Sequence, residues 1–269
     1  MMRRDLFELI AYAASKGLRC SLTPTATALP TLERLDQARQ AGIRRIALSL
    51  DAPTAVIHDD FRQINGSWER TMRILHNAQQ VGLSVQVNTT VSRFNVAFLP
   101  EMVPFIEEVR AVQWSIFFMV PTGRAQAAWM ISPEEHERVF HWLYDLSLRA
   151  PFDIKATAAP MYRRVAIQRR RAEVGAGEPV TFQGAGFQYA DGLHRPTRGV
   201  NDGNGFLFIS HRGEIMPSGF LPIAAGNVRQ DDVIEVYRHH PLFKALRDVN
   251  KLKGRCGRCE FRDVCGGQR

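Results

Sequence analysis

Four helix-then-strand units follow one another over residues 1–121, joined by short connections, and that order admits few folds. Residues 4–17 set Leu6, Phe7, Leu9, Ile10 and Ala13 near a 3.6-residue period and stop at Gly17, the pattern of an amphipathic helix with a glycine terminator. LRCSLTPT (18–25) reads as a short buried strand. Leu32, Leu35 and Ala38 mark a second helix ending at Gly42, and RRIALSLD (44–51) a second strand. Ser67–Val81 reads as a third helix, with Ser67 as its N-cap and Gly82 as its stop. LSVQVNTTV (83–91), a helix over 97–110 and VQWSIFFMVP (112–121) complete the series. Strands separated by helices in this way predict a parallel sheet covered by helices. Two architectures satisfy the pattern: an open doubly wound sheet, or a barrel or partial barrel of (β/α) units. In both, ligands gather at the carboxyl ends of the strands. The residues there are Thr23–Thr25, Ser49 and Asp51, Asn88–Thr90, and Pro121–Arg124, which are mostly small and polar. The chain opens on a helix, so its first strand is expected to leave an open edge.

After residue 124 the rhythm changes. Ser132-Pro133-Glu134-Glu135 is a capping box with proline at the first helical position, starting a helix to about Arg149. FDIKAT (152–157) reads as a fifth strand on the sheet edge, and 159–173 as a basic helix. The glycine-rich stretch from Gly175 to Gly205 reads as a long loop, which in a compact domain is functional or mobile. Two β-runs flank His211-Arg212-Gly213 within 205–219, a hairpin signal, and Asp232–Val249 reads as one helix. The expected division is 1–150 as a β/α unit, 151–204 as a connecting strand, helix and loop, and 205–269 as a small C-terminal domain.

Composition narrows the function classes. The chain has 269 residues, of which 45% are hydrophobic, enough to bury a sizeable core. No run of eighteen apolar residues exists, so no membrane partner is expected. The N-terminus is broken by Asp5 and Glu8 and reads as a helix, not a signal peptide. The net charge of +8 draws on Arg163, Arg164, Arg169, Arg170 and Arg171 in one helical segment, which reads as a solvated face. No recognition helix or aromatic platform accompanies it, and no nucleic-acid partner is expected.

Three of the four cysteines crowd into the last sixteen residues as Cys256-x2-Cys259-x5-Cys265, with Gly257, Gly266 and Gly267 permitting tight turns. Thiolates this dense point to a metal or iron–sulfur site in a reducing, cytoplasmic setting. A redox pair between Cys256 and Cys259, or unpaired thiols, are the alternatives. Zinc and a [4Fe-4S] cluster both usually take four protein ligands, and only three are local. His58, His211 and the His239-His240 pair have no partner at metal or triad spacing. They read as a turn residue, a hairpin-loop residue and an exposed helix end.

Together these residues resemble a known family. Cys-x2-Cys-x5-Cys followed by Gly-Gly, preceded by GEIMPSGFLPIAAGNVR (213–229), is similar to the C-terminal auxiliary-cluster domain, SPASM or twitch type, of radical S-adenosylmethionine (SAM) enzymes. Upstream, Ser49-Leu50-Asp51 matches the family's SLD, and His58-Asp59, Phe61-Arg62 and Gly66-Ser67 match its next motif. Asn88 matches a strand asparagine, and Pro121–Arg124 a PTGR turn. The resemblance covers nearly the whole chain and implies an α/β fold. It would be an N-terminally truncated partial (β/α)6 TIM-like barrel of parallel strands, plus a small C-terminal domain with a β-hairpin and a Cys-rich cluster loop. The chain lacks the family's Cys-x3-Cys-x2-Cys and Gly-Gly-Glu-Pro motifs, so it is expected to begin just past them and, by itself, not to cleave SAM. Pro217-Ser218 stands where many relatives carry a cysteine, and Gln268 where a further one follows the double glycine.

By resemblance, Ser49 and Arg62 approach the SAM carboxylate or ribose, and Asn88 contacts the ribose hydroxyls. Val120 flanks the adenine, Asp51 faces the substrate cavity, and Cys256, Cys259 and Cys265 hold an auxiliary [4Fe-4S] cluster. The residues alone also fit blander roles: Ser49 as a loop cap, Asp51 as an N-cap or turn residue, Asn88 as a backbone partner, Arg62 as a surface charge. The implied function is that of a radical SAM/SPASM-type oxidoreductase, abstracting a substrate hydrogen in peptide modification or heme-type cofactor biosynthesis. Its implied partners are a peptide or small-molecule substrate and a reductant such as flavodoxin or ferredoxin. The alternative is a non-catalytic iron–sulfur or zinc-binding module. A different β/α enzyme, such as a barrel aldolase, would need a lysine or an acidic pair at the strand ends, where Asp51 stands alone among acids.

Overall fold

A computed structural model describes residues 2–174 and 200–267. They gather into two compact units: 2–119 with 127–157, and 120–126 with 158–174 and 200–267. Most of the long loop expected over 175–205 lies outside the described residues.

The first unit runs α1 (Leu6–Ser15), β1 (Cys20–Leu22), α2 (Leu32–Ala41), β2 (Ile43–Ser49), α3 (Ala55–Arg62), α4 (Ser67–Gln80), β3 (Ser84–Val91), α5 (Leu99–Glu108), β4 (Gln113–Phe118), α6 (Pro133–Ser147) and β5 (Asp153–Thr157). The strands form one sheet in the order β1-β2-β3-β4-β5, and every neighbouring pair is parallel. Chain order equals spatial order, so there is no point where the sheet reverses direction, as a doubly wound sheet must. The sheet is a sector of a (β/α) barrel, the second of the two expected architectures.

The punctuation follows local chemistry. Gly42 ends α2 at φ 116° and Gly82 follows α4 at φ 75°, conformations that penalise any Cβ. Thr31 caps α2 by accepting from Arg34 N, and the expected capping box of Ser132 and Glu135 starts α6. Ser67 departs from expectation: it is the first residue of α4, not its cap. Asp59 satisfies the orphan amides instead, its carboxylate accepting from Gly66 N and from Trp68 N.

Alternation along the strands separates two faces. One carries Val85, Val87, Thr89 and Val91 of β3 beside Trp114, Ile116 and Phe118 of β4, all buried. Trp114 pins this face: its ring meets Trp142 and Phe152 edge-on, and its Nε1 donates to Thr89 Oγ1 at 2.8 Å. The other face carries Ser49, Gln86, Asn88, Thr90, Gln113 and Ser115. These polar groups are joined sideways, Gln86 Nε2 donating to Asn88 Oδ1 and to Ser115 Oγ, and Arg45 donating to Gln113 Oε1. A sheet apolar on one side and hydrogen-bonded on the other suits a polar ligand on the second side.

The second unit holds α7 (Tyr162–Val174), β6 (Phe208–Ile209), β7 (Glu214–Met216), β8 (Gly226–Asn227), α8 (Val233–His239), α9 (Pro241–Arg247), α10 (Gly254–Gly257) and α11 (Arg262–Cys265). The hairpin is as expected: β6 and β7 pair antiparallel around a turn in which Ser210 N donates to Glu214 O, and β8 adds a third strand. Ser218, in the place where relatives carry cysteine, is buried, and its hydroxyl accepts from Phe220 N and Leu221 N. The single helix expected over 232–249 is broken at His240, whose ψ of 135° leaves the helical region. Pro241 causes the break, because a proline disfavours helical geometry in the residue before it and then starts a helix well at its first position. Among the described residues no helix is long and apolar enough to cross a membrane.

Candidate functional site

In the first unit, the carboxyl ends of β2 and β3 are tied together by Asp51. Its side chain is fully buried, and both oxygens are engaged: Oδ1 accepts from Thr90 N at 2.7 Å and Oδ2 from Arg62 Nε at 2.5 Å. Its carbonyl accepts from Asn95 Nδ2 at 2.8 Å, and Asn95 also bonds Thr90 O and Ser92 N. The Asp51 carboxylate has no exposed surface and holds a guanidinium and an amide at once. The signal missed in the sequence was α3, which turns Asp51 and Arg62 toward each other across eleven positions. AVIHDDFR hides its helix because Val56 is exposed, leaving only Ile57 and Phe61 at an i, i+4 spacing.

Arg62 is one-third exposed, and among the described residues its two terminal nitrogens make no hydrogen bond. Those nitrogens form a fork suited to a carboxylate. Ser49 and Asn88 are register partners on β2 and β3, on the polar face of the sheet. Asn88 Oδ1 is taken by Gln86, leaving its amide N–H groups to donate. The structure thus brings Ser49 and Asn88 side by side and places Arg62 on the helix that follows β2. Val120 belongs to the second unit, where its carbonyl accepts from Thr122 N.

His58, expected to be a turn residue, is a fully buried residue of α3. Its Nδ1 accepts from Asp51 N at 3.0 Å, which leaves the proton on Nε2, 3.3 Å from Ser67 Oγ. Burial lowers its tendency to take a proton below that of an ordinary histidine; Asp51 opposes this, and the Arg62 cation adds to it. His58 is a neutral brace joining the Asp51 loop to the start of α4. His211 lies exposed in the hairpin turn, and His240 caps α9 by accepting from Leu242 N.

In the second unit, the cysteines occupy two one-turn helices and the bend between them. Cys256 is exposed, while Cys259 and Cys265 are half-buried. Cys259 Sγ accepts from Phe261 N at 3.4 Å. Asn201 Nδ2 donates to Cys265 O at 2.7 Å, and Arg163 to Val264 O at 3.3 Å, so the last turn is tied down from outside the loop. Glycine is required here: a Cβ on Gly266, at φ 71°, would stand 2.0 Å from Asn201 Nδ2, and one on Gly257 2.3 Å from Leu252 O. Burial raises the Cys265 thiol above its ordinary range; a backbone hydrogen bond from Gly267 pulls it back, and among nearby charges Cys256 and Cys259 raise it while Arg163 lowers it. Cys265 thus lies near the other two thiols. Yet among the described residues no three His, Cys, Asp or Glu side chains stand where they could hold one metal ion.

Known proteins are similar to this chain along its whole length. A sequence model of the radical SAM superfamily matches residues 1–96. An AdoMet-dependent heme synthase of Oleidesulfovibrio alaskensis is 41% identical over 271 residues, covering 100% of this chain and 67% of that protein. One of Methanosarcina barkeri is 35% identical, covering 100% of this chain and 74% of that protein. Among solved structures, Streptococcus suis SuiB bound to precursor peptide SuiA superposes with a TM-score of 0.69 at 14% identity, covering 99% of this chain and 58% of that one. The chain spans about two thirds of the length of the curated relatives and less of the solved structure.

Proposed function

Because this chain belongs to the radical SAM superfamily, we propose that it forms part of an AdoMet-dependent heme synthase, acting on a heme precursor. The observation that carries this is the 41% identity along the whole chain to a protein of that name. The family implies an iron–sulfur cluster and SAM; when bound, the reduced cluster supplies the electron that cleaves SAM.

This chain's own residues bind and orient. Asp51 fixes Arg62 so that its free terminal nitrogens take the SAM carboxylate in bidentate fashion. Ser49 and the Asn88 amide donate to the ribose hydroxyls. His58 and Asn95 hold the Asp51 loop so that these groups do not have to be ordered on binding.

Cys256, Cys259 and Cys265 hold an auxiliary [4Fe-4S] cluster. What supports this is an amide already on the Cys259 sulfur and glycines where a side chain would close the turn. The preference for iron over zinc rests on the family. The cluster's electrons would come from a flavodoxin or ferredoxin.

A heme-precursor site predicts that hemin, titrated into the anaerobically reconstituted chain, shifts its Soret band saturably, while an unrelated peptide in excess does not compete. No shift, or displacement by peptide, favours the peptide-modifying reading instead.

A further inference from the structure

We propose that Lys155 is a substrate-binding residue whose ammonium takes a carboxylate of the heme precursor, beside Phe117, on the β4–β5 side of the sheet. The proposal rests on the heme-precursor reading above and names the groups that would select that substrate.

Strand register puts four residues in one row across the polar face of the sheet. Ser49 of β2 pairs with Asn88 of β3, Asn88 with Ser115 of β4, and Ser115 with Lys155 of β5. Register partners on parallel strands share a face, so Lys155 stands on the same face as Ser49 and Asn88. Neighbouring strands lie about 4.8 Å apart, which sets its backbone about 10 Å from that of Asn88. The next row toward the carboxyl ends is Thr90, Phe117 and Thr157. Phe117 is diagonal to Lys155 and half-buried, and among the described residues it is the one aromatic on this face of β2–β5.

The face changes chemistry from one side to the other. At β2 and β3 it offers neutral hydrogen-bonding groups, Ser49 and Asn88. Ser115 is buried between the two sides, its hydroxyl accepting from Gln86 Nε2 at 3.3 Å and from Gln113 Nε2 at 3.0 Å. At β4 and β5 the face offers an aromatic ring and an exposed cation. The other charges that β2–β5 carry here are withdrawn: Arg45 is buried and donates to Gln113 Oε1, and Asp153 is buried one row nearer the amino ends. A heme precursor is a flat, largely apolar macrocycle edged with carboxylates. A ring takes the first property and an ammonium, a compact charge with three donors, takes the second. The neutral side is left to SAM, and the charged side to the substrate.

The test is a titration of hemin, and of hemin dimethyl ester with its carboxylates masked, into the anaerobically reconstituted chain. The Soret band reads binding, and thermal unfolding checks each variant. The parent is expected to bind hemin more tightly than the ester. K155Q should weaken hemin binding about tenfold, the worth of one charge-assisted hydrogen bond, and leave ester binding unchanged. K155R, which keeps the charge, should bind hemin close to the parent, and F117L should weaken both ligands alike. Hemin binding by K155Q equal to the parent's overturns the proposal, as does equal weakening of hemin and ester, which marks a merely structural role. An F117L that binds both ligands as the parent does overturns the part given to the ring. If K155Q fails to fold, K155R decides: a preference for hemin over the ester supports the proposal, and loss of that preference overturns it. A parent that binds hemin and ester equally overturns the proposal while the heme-precursor reading stands. A parent that binds neither refutes that reading and the proposal with it, a failure visible before any variant is made.

Discussion

The two candidate regions are built in opposite ways. Around Asp51 the fold has finished its work: carboxylate, guanidinium, imidazole and amide are bonded to one another at the ends of parallel strands, and Arg62 is left with a pre-aimed fork. Around Cys265 the fold has done half. Two one-turn helices present the thiols, and Asn201 and Arg163 anchor one end, but the sulfurs are not yet a metal-holding group. Strands supply rigidity without help from a ligand. Helices of four residues have too few internal hydrogen bonds to be stable alone, so the loop's final geometry depends on what it binds. One region is preorganised; the other, if it holds the proposed cluster, is completed by it.

The largest expected effect lies in the second region. Cys256→Ser, Cys259→Ser or Cys265→Ser should each abolish retention of iron and sulfide after desalting, because three thiols leave no spare. A variant that keeps its full iron content shows that its cysteine is not a ligand. Next comes the first region. Arg62→Ala leaves the Asp51 carboxylate buried without its cation, a change that costs about 3–5 kcal/mol where burial is complete. The one-third exposure of Arg62 admits water and places the loss at the lower end. Urea unfolding measures it, and a loss under 1 kcal/mol would mean the pair is not what holds the loop.

Smaller again is Asn201→Ala, which removes one hydrogen bond from the Cys265 carbonyl, worth about 1 kcal/mol. If the loop is completed by its cofactor, this variant should release iron to a chelator faster than the parent, with the first region unaffected. Equal release rates would mean the loop is as rigid as the strand ends. Last is a pH effect confined to the first region. Unfolded His58 takes a proton near its ordinary value of about 6.5, whereas the folded residue resists it until lower pH. Between those points the unfolded state binds more protons. The stabilisation is therefore complete above neutrality and falls as pH drops below about 6.5. Melting temperature between pH 7 and pH 5 should decline less steeply in His58→Gln. Parallel declines would remove His58 from the account.

The difference between the regions also explains what the sequence disclosed. Elements set by local rules were legible: the glycine stops at Gly42 and Gly82, the capping box of Ser132, and the hairpin around Gly213. So was the parallel sheet, because period and connection length are properties of the chain itself. Pairings that depend on where a helix comes to rest were not. The meeting of Asp51 with Arg62 needs α3, whose residues give a weak apolar period. Nor does the run of arginines mark that Arg163, among its half-buried neighbours, is the one that donates to Val264 O. The cysteines were conspicuous by density, yet density says nothing of how far apart the fold holds the sulfurs.

Anaerobic reconstitution of this chain with iron, sulfide and zinc offered together tests the central claim most directly. The account predicts a brown protein with about four irons per chain, a paramagnetic signal on reduction, and no SAM cleavage, since only Cys20 lies outside the cysteine loop. A colourless protein carrying one zinc would contradict it.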